Sequence, residues 1–446
     1  MKNVLTRNKA ASMAASCFAF IIAAAILSAG FVTPVFGQFD RIEKSRAKDM
    51  LKAIKKSLKE DYFDDKFKGV DIEARFKAAE EKVETATSIG QAFGIIAQAV
   101  LELNDSHTKF YPPSRAAKVD YGWRMQMVGD KCFVIAVRPK SDAEKQGLKP
   151  GDEVVQIEGF RPSRKDLWKI NYYYNAISPR TGLNVKVKAP GQADIRELNI
   201  ASKVTQMKAR LNLEDLIREF ELDTGGGITH RFFKLGSTMV WKLPSFTTAP
   251  ETVDEIMQSR IKGSQNLILD LRGNGGGYVV TLERLAGYFV EKDTEIATLK
   301  GRKPMKPQMA KAMGKDGYAG KLIILIDSNS GSASEIFARF MQLQQRGVVI
   351  GDVSAGAVMQ SRYVPMELGA DSTVPYGISV TNADVLMSDG NSIEHLGVTP
   401  HLQMFPTAED LAGRRDPILA AAFKLFGQEI SPDDAGKIFP TEWGEN

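Results

Sequence analysis

Five consecutive apolar residues, Leu322 to Ile326, run into Asn329, Ser330, Gly331, Ser332, Ala333, Ser334 and Glu335, after which Ile336, Phe337, Phe340 and Met341 fall at helical spacing. A run that is apolar at every position is buried on both sides, so this strand belongs inside a sheet covered on two faces. The turn after it sits where a helix begins, and the unpaired amides of a helix N-terminus stabilise negative charge. A hydroxyl at such a turn is placed for nucleophilic attack with an oxyanion held close by. Ser332 is the candidate nucleophile. The same residue types also serve as ordinary N-caps and turn formers, so Ser330, Ser332 and Ser334 by themselves leave both readings open.

The design occurs twice. Leu267 to Leu271 form another apolar strand, Gly273, Gly275, Gly276 and Gly277 follow it, and Val279, Leu282, Leu285 and Phe289 continue at helical spacing. Glycines let backbone amides approach a ligand closely, so Gly276 and Gly277 are candidate oxyanion donors together with the amide of Ala333. The turn lacks the Lys-Ser/Thr ending of a phosphate-binding loop, which disfavours a nucleotide site. Strands alternating with helices imply an α/β core built on a largely parallel sheet.

These two motifs, in this order, resemble the C-terminal processing peptidases, the tail-specific serine protease family that includes the tricorn protease core. Three further segments carry the resemblance. Ser141 to Gly159 is similar to the helix-turn-strand of a PDZ domain, Leu101 to Thr108 resembles the Leu-x-Asp-x-His-Thr segment that precedes it, and Ile393 to Pro400 resembles the Glu-x-x-Gly-Val-x-Pro segment that closes the core. The likeness extends from about Phe39 to Phe426. It implies a crotonase-like spiral of strand-strand-helix repeats for residues 205–426, a PDZ-like insertion over 117–204, a small helical domain over 38–116 and a tail over 427–446. Met50, Leu51, Ile54 and Leu58, then Phe93, Ile96 and Val100, carry the helical pattern of the first of these regions.

One departure bears on mechanism. The best-known subgroup of the family places a lysine base in a Gly-Lys-Gly-x-x-Gln segment after the serine, whereas the matching stretch here, Gly351 to Gln360, contains no lysine. A neutral hydroxyl is a poor nucleophile without a base within reach. The tricorn-like branch implies another solution: Ser106-His107 match its Ser-His pair, with His107 the base, and Glu394 falls where its orienting glutamate lies. A packing or capping role for His107 and a solvated turn role for Glu394 are the competing readings. Of the other histidines, His395 lies in a short turn, His401 stands where the family has aspartate, and His230 lies in a strand-like run expected to be exposed. Glu335 is expected to pair with Ser332 or Ser334 in a capping box.

Before the core, Lys2, Arg7 and Lys9 precede an uncharged apolar run from Ala10 to about Val32, and Val35 to Gln38 carry small or modest residues. This pattern reads as an export signal over residues 1–37, long enough also to serve as an uncleaved anchor. Losing its three positive charges would take the net charge from +5 to +2, which gives no basis for nucleic-acid steering. Of two cysteines, Cys17 lies in that segment and leaves Cys132 alone, so an intrachain disulfide and a cysteine-based metal site are both unavailable to the mature chain.

The resulting expectation is an exported serine endopeptidase, needing no metal or organic cofactor, that cleaves protein or peptide substrates with free C-termini. Membrane contact would come only through the N-terminal segment. A catalytically inactive, PDZ-containing peptide-binding protein is the alternative; an acyl-CoA enzyme on a crotonase-like core would explain neither the export signal nor the PDZ-like segment. Chain ends would be captured by strand addition at Tyr121, Gly122, Trp123 and Arg124, where Trp123 replaces the usual small residue. Lys300 to Lys321 is expected to form a mobile loop over the site.

Overall fold

The computed structural model describes residues 39–115, 117–206, 229–369, 374–441 and 443, so the expected export signal lies outside the described residues. Three helices open the chain: α1 (Arg41–Asp61), α2 (Ile72–Glu84) and α3 (Ile89–Leu101). Each begins at a side-chain cap, Asp40, Asp71 and Ser88 respectively, which satisfies amides that the first helical turn leaves unpaired. Their apolar stripes, including Leu51, Ile54, Phe76 and Ile96, pack together and against Tyr376, Ile378 and Val380 of a later strand. The helical layer is therefore a cover for a sheet. Strand β1 (Lys109–Tyr111) follows directly and pairs antiparallel with that same later strand, Phe110 opposite Ile378.

Residues 117–206 then form a module with its own core. It contains β2 (Ala117–Asp120), β3 (Trp123–Val128), β4 (Lys131–Val137), α4 (Asp142–Lys145), β5 (Glu153–Ile157), α5 (Leu167–Tyr172), β6 (Gly182–Lys188), β7 (Ile195–Ala201) and β8 (Lys203–Gln206). Strands β3 to β7 make a five-stranded antiparallel sheet in chain order, closed over Val134, Leu148, Val185 and Val187. The outer pair β2 and β8 lie antiparallel, Ala117 opposite Gln206, so the chain enters and leaves the module through adjacent strands.

The remaining elements are β9 (Arg231–Leu235), β10 (Thr238–Lys242), α6 (Pro250–Ile256), β11 (Asn266–Asp270), α7 (Val279–Gly287), β12 (Thr294–Lys300), β13 (Gln308–Ala310), β14 (Lys321–Ile326), α8 (Ala333–Leu343), β15 (Val348–Gly351), β16 (Met359–Leu368), β17 (Val374–Met387), β18 (Leu402–Gln403), α9 (Ala408–Gly413), α10 (Pro417–Leu425) and α11 (Pro432–Ile438). One sheet runs β18-β15-β14-β11-β10-β9, parallel throughout except at its β9 edge. Leu322, Ile324 and Ile326 of β14 face one buried layer with Phe337 and Leu282, while Ile323 and Leu325 face another with Leu419 and Phe423 of α10. That two-sided burial is what an unbroken apolar strand requires. A second sheet, β1-β17-β12-β13 with β16 on the far side of β17, is antiparallel. The 300–321 segment differs from the expected loop: β13 lies within it, and Gln308 and Ala310 are buried. Three residues between lysines and prolines give too short a pattern to announce a strand. Among the described residues, no helix is long and apolar enough to cross a membrane.

Candidate active site

The two parallel strands β11 and β14 end side by side, and their turns are bolted together. Ser330 Oγ donates to Leu271 O at 2.8 Å, Ser334 Oγ donates to Asn274 O at 2.9 Å, and the Gly331 amide reaches the same Asn274 oxygen at 2.9 Å. Ser330 and Ser334 are fully buried. These two serines are brackets; Ser332, between them, is the one presented to a base. Its backbone has φ 53° and ψ −117°, a region that a side chain occupies only when its surroundings hold it there. Two acceptors do so: the Ser332 amide points to Ala357 O and Glu335 Oε2, both at 2.9 Å.

His107 Nε2 lies 3.3 Å from Ser332 Oγ, although 225 residues separate them in sequence. Its other ring nitrogen, Nδ1, lies 2.7 Å from Ser106 Oγ, and Ser106 Oγ lies 2.9 Å from Glu394 Oε2. Glu394 therefore does not touch the imidazole; Ser106 stands between them. The hydroxyl has one proton, and an ionised carboxylate can only accept, so that proton goes to Glu394 and the Ser106 oxygen accepts from Nδ1–H. This fixes the tautomer with the Nε2 lone pair facing Ser332. Glu394 is itself fixed by the Ser106 amide at 2.9 Å and the Val358 amide at 2.7 Å. His395 Nε2 approaches Asn104 O at 3.1 Å and stands 3.6 Å from Glu394 Oε1, outside the line of transfer.

The turn that carries His107 is organised by Asp105, a buried residue the motif contained but to which sequence reasoning assigned no part. Asp105 Oδ1 accepts from the amides of His107 and Thr108 at 3.0 and 2.7 Å and from Thr381 Oγ1 at 2.6 Å, and Oδ2 accepts from Tyr62 at 2.9 Å. The carboxylate thus ties the turn to β17 and to the end of α1. Burial pushes the His107 imidazole down from 6.5 to about 4, Lys109 adds to the fall, and Asp105 opposes it. The ring is neutral at neutral pH, as a proton acceptor must be.

On the glycine turn, Gly276 packs against the nucleophile: a Cβ there would stand 2.7 Å from Ser332 Cβ and 3.0 Å from the Ala333 nitrogen, and its φ is +106°. Only glycine fits. Its amide, expected as an oxyanion donor, is already bonded to Asn274 Oδ1 at 2.9 Å. Of the expected partners, Gly277 is held at φ +143° against Phe246, and Ala333 opens α8.

Residues 238–404 match the family model described as Peptidase family S41. The chain carries a peptidase family S41 domain. Over 282 residues it is 28% identical to the carboxy-terminal processing protease CtpB of Bacillus subtilis, covering 63% of this chain and 54% of that protein. Over 363 residues it is 25% identical to the chloroplastic C-terminal processing peptidase of Tetradesmus obliquus, covering 77% of this chain and 74% of that protein. The chain thus spans about half the length of the Bacillus relative and three quarters of the algal one. In fold, it resembles the structure of mature CPAF complexed with lactacystin, with a TM-score of 0.62 at 13% identity over 83% of this chain and 96% of that one.

Within the S41 domain, the stretch without a lysine is occupied by a different device. Glu335, wholly buried, accepts from Ser354 Oγ at 2.6 Å, from the Gly356 amide at 2.7 Å, and from the Ala357 and Ser332 amides at 2.9 Å each. The expected capping partner of Ser332 is thus also the clamp that holds residues 354–357 beside the nucleophile. Burial pushes its carboxyl up to about 7, and the four donors pull the other way. At the base of the glycine turn, Arg272 is held between Asp270 and Asp416, each at 2.8 Å. Lys242 and Arg272 keep the fully buried Asp270 well below the usual carboxylate range against the opposing effect of burial.

The other expected site residues lie in the module. Tyr121 is buried, its hydroxyl donating to Tyr174 O at 3.1 Å. The Gly122 amide, expected to receive a chain-end carboxylate, is bonded to Asp120 Oδ1 at 2.8 Å. Trp123 packs at the margin of the module core and Arg124 points elsewhere, toward Trp443. His230, expected to be exposed, is half-buried: Trp241 Nε1 donates to its Nδ1 at 3.2 Å and Thr248 Oγ1 lies 3.0 Å from its Nε2. Among the described residues, no cluster of histidine, cysteine and acidic side chains could hold a metal ion.

Proposed function

We propose that the protein is an exported serine endopeptidase that hydrolyses peptide bonds of protein substrates near their C-termini. The observation that carries this reading is the unbroken series Ser332, His107, Ser106, Glu394. Ser332 Oγ attacks the substrate carbonyl carbon while its proton passes to His107 Nε2, and the tetrahedral oxyanion is met by amides at Gly277 and Ala333. The C–N bond then breaks and the amine leaves with the proton from Nε2. Water, deprotonated by the same nitrogen, releases the acyl group and restores Ser332. Glu394 acts through the Ser106 hydroxyl to stabilise the imidazolium that forms in each half-reaction.

The reading extends to the whole chain. Residues 117–204 act as a PDZ-like module, residues 205–426 as a crotonase-like spiral core, and residues 1–37 as an export signal or anchor. Capture of a chain end at Gly122 requires Asp120 to give way, so C-terminal peptides bind weakly. An assembled relay favours activity over the inactive binding protein. The test is incubation of the mature chain with an unfolded protein and, separately, with a fluorophosphonate probe. Cleavage and labelling that vanish in Ser332→Ala are expected; absence of both in the folded parent overturns the proposal.

A further inference from the structure

Close to the end of the chain, the ring of Trp443 lies against two guanidinium groups, its centroid 4.8 Å from Arg124 and 4.7 Å from Arg138. Arg124 is on β3 and Arg138 directly follows β4, and the pairing of Trp123 with Val137 makes them neighbours at one end of this hairpin. Arg138 is also fixed in place, its guanidinium 2.9 Å from Asp120 Oδ2 and its amide bonded to Gly122 O at 2.8 Å. Two planar cations on one indole form an arrangement that recognises an aromatic side chain through its π face. In sequence, Glu442 and Glu445 stand on either side of Trp443.

The same tail is anchored to the core a few residues earlier. Arg231 Nη1, on the edge strand β9, donates to Pro440 O at 2.6 Å, and its guanidinium lies 5.2 Å from the Phe439 ring. Three residues from Pro440 to Trp443 reach at most about 11 Å, so the two anchor points are joined by a short strap. The strap also bears on the site. The module rests on the loop after β15, where Asp352 Oδ2 accepts from the Gly129 amide at 2.8 Å and from Arg164, and Arg164 Nη1 donates to Val353 O at 3.1 Å. That loop goes on to Ala357 and Val358, which hold Ser332 and Glu394.

We infer that the paired guanidinium groups of Arg124 and Arg138 form a binding surface for an aromatic side chain, and that its occupant is Trp443 of this same chain, strapping the inserted module to the core. The experiment is hydrogen exchange on the full chain, followed at β3 and β4. Trp443→Ala is expected to raise exchange there by about tenfold, and Trp443→Phe, which keeps a π face, by much less. The double variant Arg124→Ala/Arg138→Ala should reproduce the Trp443→Ala effect, and combining all three should add nothing further. A peptide of residues 439–446 added to the Trp443→Ala chain should restore protection, and the same peptide with alanine for tryptophan should not. Unchanged exchange in Trp443→Ala, or effects of the tail and arginine variants that simply add, overturns the inference. Exchange needs no catalysis, so a parent chain that fails to label at Ser332 would count against the protease reading and leave this result standing.

Discussion

The pH dependence of the site follows from two groups whose titration burial shifts, His107 and Glu335. His107 falls from 6.5 to about 4 on folding, chiefly through burial. Between those values the unfolded chain holds a proton that the folded chain does not, so stability rises with pH across the window: it is fully present above about 6.5 and lost as pH falls toward 4. A displacement of about 2.5 in pKa corresponds to about 3 kcal/mol. Glu335 runs the other way. Burial raises it from 4.5 to about 7, so the folded chain keeps a proton that the unfolded chain releases, and stability falls as pH rises from 4.5 to 7 by a similar amount. The two oppose each other through most of this range, and the parent's profile should be nearly level there. Replacing the histidine exposes the other slope. In urea unfolding, the stability of His107→Gln relative to the parent should improve by about 3 kcal/mol between pH 7 and pH 4. The labelling rate of Ser332 by a fluorophosphonate, which needs the neutral ring, should be half-maximal near pH 4 in the parent. Parallel stability profiles for the two proteins, or a labelling midpoint near 6.5, would refute the argument from burial.

Ser106→Ala removes the acceptor of the His107 Nδ1 proton, and kcat should drop by about 100-fold with KM little changed; unaltered kinetics would take Ser106 out of the relay. Gly276→Ala places a methyl group 2.7 Å from Ser332 Cβ at a φ of +106°, so thermal unfolding should show a loss of about 2 kcal/mol and Ser332 should cease to label; normal labelling would mean that the two turns can part. Asp270→Ala leaves Arg272 and Lys242 without their shared buried partner, and denaturant unfolding should register a loss of about 3 to 5 kcal/mol, a figure below 1 kcal/mol contradicting the network. One substrate prepared with a free and with an amidated C-terminus should be cleaved only slightly faster in the free form, given that Asp120 already fills the Gly122 amide; equal rates would remove chain-end preference altogether.

The strands and turns that carry Ser332 and Gly276 were legible because an unbroken apolar run followed by small residues has few other folds open to it. Ser106, His107 and Glu394 could be named from motif order, yet the place of the Ser106 hydroxyl between the other two could not, because the pairing of β1 with β17 is what brings Ser106 within reach of Glu394. Local rules gave Glu335 one partner in its own helical turn. Its other three donors come from residues 354–357, which no pattern connects to it. The Gly122 turn shows the opposite limit: its sequence suggested an open cradle, and the aspartate two residues earlier had already closed it. Patterns reveal which groups can act and seldom which neighbours arrive first.

The hydrogen bonds from Ser106 to Glu394 join residues 288 positions apart, and Thr381 fixes the histidine turn through Asp105. A growing chain consequently carries its base long before it possesses anything to align it. Until the polypeptide has been made past Glu394 and the final strands have folded back onto β1, Ser332 faces no oriented imidazole and is an inert alcohol. Contacts of such long range form late and together. On the proposed mechanism, hydrolytic power arrives with completed folding, so a half-made or misfolded copy is harmless to its neighbours.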